Sequence, residues 1–576
     1  MSQPLHDQGR IPFTLRLGVT GHRDLPDSPE IRRRVKEAID RAIGLLRTPS
    51  DLGDRVRRWR WRPERTSVRI LGVTMLADGA DRIVAELVLA RAEGTGVSAP
   101  LVVPLPRSER EYAKDFDETS RGEFHRLMRR ARALPPPGSR THDEGYAIAG
   151  MRLVESCDVL IAIWDKQRKR GTGGTAEIVR YALEQRVPVV LVPASGAAEI
   201  VVDDGTGAIP PAFDNADAVR GDQPPAGRTR FQAKREKFAL LERYNRRAFR
   251  EGEFEGHIEK ERLHLPAEDS QVGRTLPVND LANWILPNFA RADLNAVKSQ
   301  RWHYVFVWAQ FLGAAAAVLA IAVQTVLTPK HPGVGWIEVS FLALLLLIVG
   351  VGRPLFEFHE RWVSSRYLAE RFRSDFYLAA VGLRRRERDV EEAFTLAEPP
   401  DEWLDDAYEH VWNTRPPVEL SESDAPRLRE LIVDSWLRGQ IAYHDQTSRR
   451  HGSALWRYTA ATVALFAITF SFAFVHSLGV GEETKLADVW ILVAIGLPAI
   501  GGAIAGVAEH QQHRRHAEVY HSMRRLLTTI VDRLAKPERP TLAQVRAAAA
   551  QAAEAMAGEN IDWFGVMKLY DVEWHV

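Results

Sequence analysis

Three short loops carry the residue types that handle phosphate-bearing ligands. They are Thr20-Gly21-His22-Arg23-Asp24, Asp78-Gly79-Ala80-Asp81-Arg82 and Gly171-Thr172-Gly173-Gly174-Thr175. Each follows an apolar run with strand character and leads into a segment with helical character. Glycine lets a backbone approach a phosphate closely, and the exposed amides and dipole of a helix N-terminus favour an anion. Arg23 beside the first glycine could clamp a phosphate. Asp78 and Asp81 could bind ribose hydroxyls or cap the following helix. None of the loops is a Walker A motif or the G-x-G-x-x-G dinucleotide fingerprint.

The elements that must position these loops form a β/α alternation. Thr14–Thr20, Val68–Thr74, Pro100–Pro104, Cys157–Trp164 and Val187–Val192 read as strands, with helices over Glu30–Leu46, to about Ala92, and from Ala176. This pattern predicts an α/β Rossmann-like parallel sheet with flanking helices, in which a ligand sits outside the carboxyl ends of the strands.

The second half is of a different kind. With 576 residues, two or more domains are expected. A mean hydropathy of −0.23 and 27% charged residues suggest a soluble protein only because averaging hides where the apolar residues lie. Four apolar runs, about 304–327, 336–351, 455–478 and 489–508, are long enough to be read as transmembrane helices. Tryptophans and tyrosines, among them Trp302, Tyr304, Trp336, Trp456, Tyr458 and Trp490, sit near their ends. The two short turns carry only Lys330 and Lys485, whereas arginines crowd the other flanks, including Arg291, Arg301, Arg361, Arg366, Arg449, Arg450, Arg514 and Arg515. By the positive-inside rule both termini and the bulk of the chain are cytoplasmic, in a multi-pass protein of the cell inner membrane. The first thirty residues lack a signal-peptide core, in keeping with this. Helical periodicity over Glu357–Leu383, Ala425–Ser448 and Glu509–Leu534 predicts that helices continue out of the bilayer as stalks, making this an all-α four-span domain. The net charge of +1 argues against duplex nucleic acid, and the single Cys157 excludes intramolecular disulfides and Cys-rich metal sites.

At the level of motif order the chain resembles a known family. Gly18–Asp24, Asp78–Arg82 with Ala85-Glu86, Leu101–Pro106, Asp158–Asp165 and Gly173-Gly-Thr-Ala-Glu177 are together similar to a SLOG domain, a Rossmann-like nucleotide-sensor family. Residues 285–560 resemble the SLATT-type transmembrane effector module, through Arg291-Ala-Asp-Leu-Asn295 and Tyr367-Leu-Ala-Glu-Arg371. The resemblance implies ligand-binding roles for Thr20, Gly21, His22, Arg23, Asp78, Gly79, Asp81, Arg82, Asp165, Gly173, Gly174, Thr175 and Glu177. It also implies a nucleotide or ADP-ribose-type ligand, a signal-generating enzyme upstream, and a role as a bacterial anti-phage effector. The enzymatic branch of the superfamily carries P-G-G-x-G-T-x-x-E. This chain lacks the proline and places Glu177 one residue nearer the threonine, so binding is favoured over hydrolysis and no catalytic residue is assigned.

The expected organisation is a nucleotide-binding domain over 1–195, a connector with a helical segment over 196–290, a membrane domain over 291–534, and a cytoplasmic tail over 535–576. Few polar residues lie in the apolar runs, so a pore would require a homo-oligomer, and the Gly501–Gly506 small-residue stretch offers packing surface. The alternatives are a nucleotide-gated ion channel and a membrane-anchored nucleotide hydrolase. Two other features remain. Arg55–Arg62 interleaves basic and aromatic residues, as a solvated loop or a nucleic-acid or headgroup contact would. His510, His513 and His516 fall at helical spacing and suit a stalk interface better than a metal site.

Overall fold

The computed structural model describes residues 8–47, 66–93, 99–139, 141–165, 174–194, 199–205, 229–250, 252–327, 332–348, 357–383, 402–480 and 486–569. The Arg55–Arg62 stretch, Gly171–Gly173 and the prolines at 399–400 lie outside them. The chain divides into two compact units, Arg10–Arg246 and Met1–Gly9 with Arg247–Val576.

The first unit is built on a seven-stranded sheet in the order β4-β3-β2-β1-β5-β6-β7. The strands are β1 (Phe13–Gly21), β2 (Val68–Val73), β3 (Leu101–Pro104), β4 (Ala131–Leu134), β5 (Val159–Ile163), β6 (Val189–Val192) and β7 (Val201–Asp203). All pair in parallel except β7, which is antiparallel to β6. The helices are α1 (Pro29–Arg47), α2 (Ala80–Ala92), α3 (Glu118–Met128), α4 (His142–Ser156), α5 (Thr175–Glu184) and α6 (Arg230–Asn245). Strands β1, β3, β5 and β6 are buried almost throughout, as expected of a sheet covered on both faces. Five of these strands match the apolar runs of the sequence. Strand β4 (Ala-Arg-Ala-Leu) is too polar to read as one, and β7 falls in the Gly- and Asp-rich stretch expected to be loop.

The α/β unit extends past the expected boundary at 195, because α6 packs on the sheet. Phe238 meets Phe13 edge-on with centroids 5.2 Å apart. Asn245, fully buried, donates to Ile11 O (2.6 Å) and accepts from Ile11 N (3.0 Å), which fixes the start of β1.

The second unit is helical: α7 (Glu253–Arg262), α8 (Val278–Leu327), α9 (Pro332–Leu347), α10 (Phe358–Ala380), α11 (Glu402–Trp412), α12 (Arg438–Ser477), α13 (Leu486–His510), α14 (His513–Ala535) and α15 (Leu542–Leu569). A short helix at Ala425–Glu430 and a π-helical stretch at Leu431–Leu437 lead into α12. Helix α15 occupies the segment expected to be a tail. Three helices, Val278–Val326, Glu422–Ser477 and Asp488–Ala535, are long and apolar enough to cross a membrane, which suggests membrane association. The apolar helix Gly335–Leu347 is shorter. Trp336, Leu346, Trp456 and Phe470 are each at least 70% exposed, an apolar surface that water would not tolerate.

This unit contains an internal echo. Trp302 and Tyr304 recur 154 positions later as Trp456 and Tyr458. In each half a long helix (α8, α12) is followed by an apolar returning helix (α9, α13) and then by a 23-residue helix (α10, α14). That last helix is preceded directly by a left-handed residue, Glu357 (φ 44°) in the first half and Gln512 (φ 47°) in the second. A non-glycine residue there costs about 1–2 kcal/mol, so the packing on either side must hold both breaks in place.

The resembling motifs serve this packing. Arg291 is fully buried, donating to Gln8 O (2.6 Å) and Arg247 O (3.1 Å). Arg371 pairs with Asp405 at 2.7 Å and stacks on Tyr408, tying α10 to α11. Histidines line the α12–α14 contact. His451 Nδ1 and His513 Nδ1 are 2.8 Å apart, and the His451 and His516 rings lie 5.0 Å apart. Burial pushes His444, His451 and His516 down to about 4, with the neighbouring Arg366 adding to the effect on each. The fold therefore favours the neutral imidazoles. Their contribution to stability is intact above the ordinary value of 6.5 and is lost as pH falls from there through about 4. Hydrogen exchange of the full chain, corrected for intrinsic rates, should rise in residues 438–454 and 513–523 between pH 7.5 and pH 4.5. Equal protection at both pH values would contradict this packing.

Candidate functional site

The sheet order reverses at β1. The chain works outward through β2, β3 and β4 on one side, then returns to place β5 against the other side of β1. In open α/β sheets the crevice at such a switch, outside the carboxyl ends of the strands, is where ligands bind. Here the two flanking strands end at Gly21 and Ile163, which are in register.

His22 and Asp165, the residues just past β1 and β5, meet across that crevice. His22 Nε2 lies 3.0 Å from Asp165 Oδ1 and 3.2 Å from the Asp165 backbone nitrogen. A protonated imidazole can donate to the carboxylate, and a neutral one with a bare Nε2 can accept from the amide, so the link persists in either state. Both side chains are about one-fifth exposed, so they line the crevice while still reachable from solvent. Gly174 caps α5 without a side-chain hydrogen bond of its own, and Thr175 opens that helix. Glu177 lies in the first turn, 3.8 Å from Arg180. Gly173 lies outside the described residues.

The second loop is turned inward. Asp81 is 4% exposed. Its carboxylate accepts from Thr74 Oγ1 (2.8 Å) and from the backbone amides of Ala77 and Met75. Burial pushes it up to about 6 against those hydrogen bonds and the pull of Arg23. Arg82, also buried, donates to Leu76 O (3.2 Å), pairs with Asp78 (2.8 Å) and Glu123 (3.2 Å), and covers the Phe116 ring. Ser120 Oγ donates to Asp78 at 2.5 Å. Asp78, Asp81 and Arg82 thus brace the loop after β2 against α3.

The glycines have a job that the sequence did not reveal. Gly79 has φ +71°, and a Cβ there would stand 2.4 Å from Arg23 O and 2.5 Å from His22 O. A Cβ on Gly21 would meet Ala80 Cβ at 2.4 Å. The amide of Ala80 donates to His22 O at 3.1 Å. The first two loops therefore lock to one another, and that lock presents His22 to β5. Thr20 is buried beneath them.

Arg23 projects outward, its guanidinium 5.6 Å from the Tyr146 ring. Sequence reasoning missed the group around it. Tyr146 donates to Asp115, which pairs with Arg107 at 2.6 Å. Tyr112 packs edge-on against Tyr146 at 5.9 Å, and its hydroxyl is buried with no hydrogen-bond partner among the described residues. These residues come from the segment after β3 and from α4, and no glycine or charge motif marks them. The site thus has two lobes: the His22–Asp165 crevice with the α5 N-terminus, and an Arg23–Tyr146 wall. Among the described residues no group of three His, Cys, Asp or Glu side chains could hold a metal ion.

Comparison with known proteins gives no match: no family model fits the sequence, and no curated protein or solved structure is similar to it.

Gly79→Ala should destabilise the α/β unit by about 2 kcal/mol or more, from the left-handed strain plus the clash with Arg23 O. Gly44→Ala on α1, where a Cβ meets nothing within 4 Å, is the control and should be neutral or slightly stabilising. Local exchange at residues 18–24 and 74–82 reads the difference. Equal protection in the two variants would contradict the interlocked loops.

Proposed function

We propose that the chain is a membrane-associated sensor–effector. Its α/β unit binds a nucleotide-derived ligand, of nucleotide or ADP-ribose type, in the β1/β5 crevice, and its helical unit acts on the membrane. The observation that carries the binding half is the placement of His22, Asp165 and the glycine-capped α5 N-terminus around one topological switch point. A phosphate at the helix N-terminus would receive backbone amides, and Arg23 could reach an outer phosphate or stack with Tyr146 on a base. The first-turn Glu177 would oppose an anion unless it turns outward toward Arg180.

The effector half rests on the apolar exposed helices. In this reading all four apolar runs span the bilayer, with both termini in the cytoplasm. The scarcity of polar residues in the runs argues for an output that works through oligomerisation or opening of the bundle, not through a transport path in one subunit. The resemblance of the motifs to SLOG and SLATT modules supports a place in a bacterial anti-phage or conflict system, downstream of an enzyme that makes the signal.

Titration calorimetry of the full chain in nanodiscs against nucleoside mono-, di- and triphosphates and ADP-ribose tests the site. At least one should bind, and Gly174→Glu, which sets a carboxylate at the α5 N-terminus, should weaken it tenfold or more. Binding that is absent across the set, or unchanged in that variant, would sink the assignment.

A further inference from the structure

A cleft of about 410 Å³ opens between α14 and α15 in the helical unit, far in sequence from the loops described above. Its upper end is Gln512, the left-handed residue that follows the apolar helix α13. Gln512 is 9% exposed, and both atoms of its side-chain amide are buried without a hydrogen-bond partner among the described residues. An amide in that state is costly to bury unless a ligand meets it. Below it the cleft is lined by Arg515, then by Asp562, Trp563 and Glu559, with apolar side chains of both helices between them.

The order of charges along the cleft is informative. Gln512 lies two residues past the end of α13 at His510, so the mouth of the cleft is at headgroup depth if α13 spans the bilayer. Helix α15 follows α14 after the short link 536–541 and packs back along it, and it runs antiparallel to α10: His359 of α10 touches Met567 O, while Asn560 reaches Tyr367 O further along the same helix. Moving away from the mouth, the cleft presents a neutral amide donor and acceptor, then the Arg515 guanidinium with His516 and Glu518 on the same helix, then Asp562 and Glu559 beside an indole. An ester, a phosphate and an ammonium follow one another in that order in one class of molecule.

We propose that this cleft binds the headgroup of an aminophospholipid from the cytoplasmic leaflet, its phosphate at Arg515 and its ammonium between Asp562, Glu559 and the Trp563 ring. The lipid's glycerol end meets Gln512, and its chains stay in the bilayer. Burial raises the Glu559 carboxyl to about 7, with Glu370 and Asp562 raising it further against the pull of Arg366. A bound ammonium would relieve that cost by pairing with the ionised form. Because Trp563 also packs on Trp362 and lies under the Arg366 guanidinium, the headgroup would brace α15 against α10 and α14 at the foot of the membrane helices.

This inference rests on the membrane reading of α13 and is independent of the nucleotide site. Alkaline carbonate extraction of membranes tests the membrane reading by itself. The cleft is tested by native mass spectrometry of the detergent-purified full chain with phosphatidylethanolamine or phosphatidylglycerol. Wild type should retain phosphatidylethanolamine at least tenfold better than phosphatidylglycerol. The preference should vanish in Glu559→Gln/Asp562→Asn, whereas Arg515→Gln should lower retention of both lipids at least tenfold, with circular dichroism melting unchanged in at least one of the variants. Equal retention of the two lipids, a preference that persists in Glu559→Gln/Asp562→Asn, or equal affinity for soluble glycerophosphoethanolamine would overturn the lipid site.

Discussion

The helical unit is organised by one constraint: a broad band of its surface is apolar and must be covered by something other than water. Large side chains such as Trp336, Leu346, Trp456, Val463 and Phe470 point outward, and the most apolar window of Glu422–Ser477 has no buried residue at all. Each such side chain left in water forfeits about 2 kcal/mol, a sum comparable with the whole stability of a domain. A bilayer meets this demand and at the same time enforces helices, since they satisfy their own backbone groups. Much of the remaining architecture follows from the same demand. The long helices α8 and α12 carry the chain toward the apolar band, and the returning helices α9 and α13 must hand over to α10 and α14 on the way out.

That handover is where the structure spends strain. Glu357 and Gln512 both adopt left-handed backbone, each immediately before a 23-residue helix that packs within the unit. Their equivalence, together with the recurrence of Trp302 and Tyr304 as Trp456 and Tyr458, makes the unit two variations on one hairpin and stalk. The two copies have diverged in what surrounds the break. The second has the histidine contacts of His451, His513 and His516 and the cleft under Gln512, while at the first His359 is bound to α15 through Met567 O. A single chain therefore carries two similar joints with different chemistry.

The broad plan was legible in the sequence wherever periodicity or hydropathy is strong. Apolar runs located β1, β2, β3, β5 and β6; those of β3, β5 and β6 are uninterrupted because these strands are wholly buried, while Arg16 and Arg69 interrupt β1 and β2. Strand β4 was invisible, since Arg132 and its flanking alanines resemble a helix end, and α15 was missed because an alanine-rich run carries little amphipathic contrast. At the site, spacing identified the loops but not their internal economy. Gly21 and Gly79 read as phosphate glycines, yet their lost Cβ atoms make room for one another's loops, a tertiary fact that no local pattern encodes. Tyr112, Tyr146 and Asp115 escaped notice for a similar reason, being ordinary residues in segments brought to the site only by the sheet order. The pairing of His22 with Asp165 depends on β5 returning beside β1, and that adjacency is decided by the whole fold.

The central claim is that the apolar band lies in a membrane, with its short turns on one side and everything else on the other. Cysteine labelling tests it directly, because Cys157 is fully buried and burial pushes its thiol up to about 12, leaving it unreactive. Single variants Lys330→Cys, Lys485→Cys and Arg539→Cys would be exposed to a membrane-impermeant maleimide in spheroplasts. The account predicts labelling of the first two in intact cells and of the third only after the membrane is permeabilised. Labelling of position 539 from outside, or protection of 330 and 485, would contradict it.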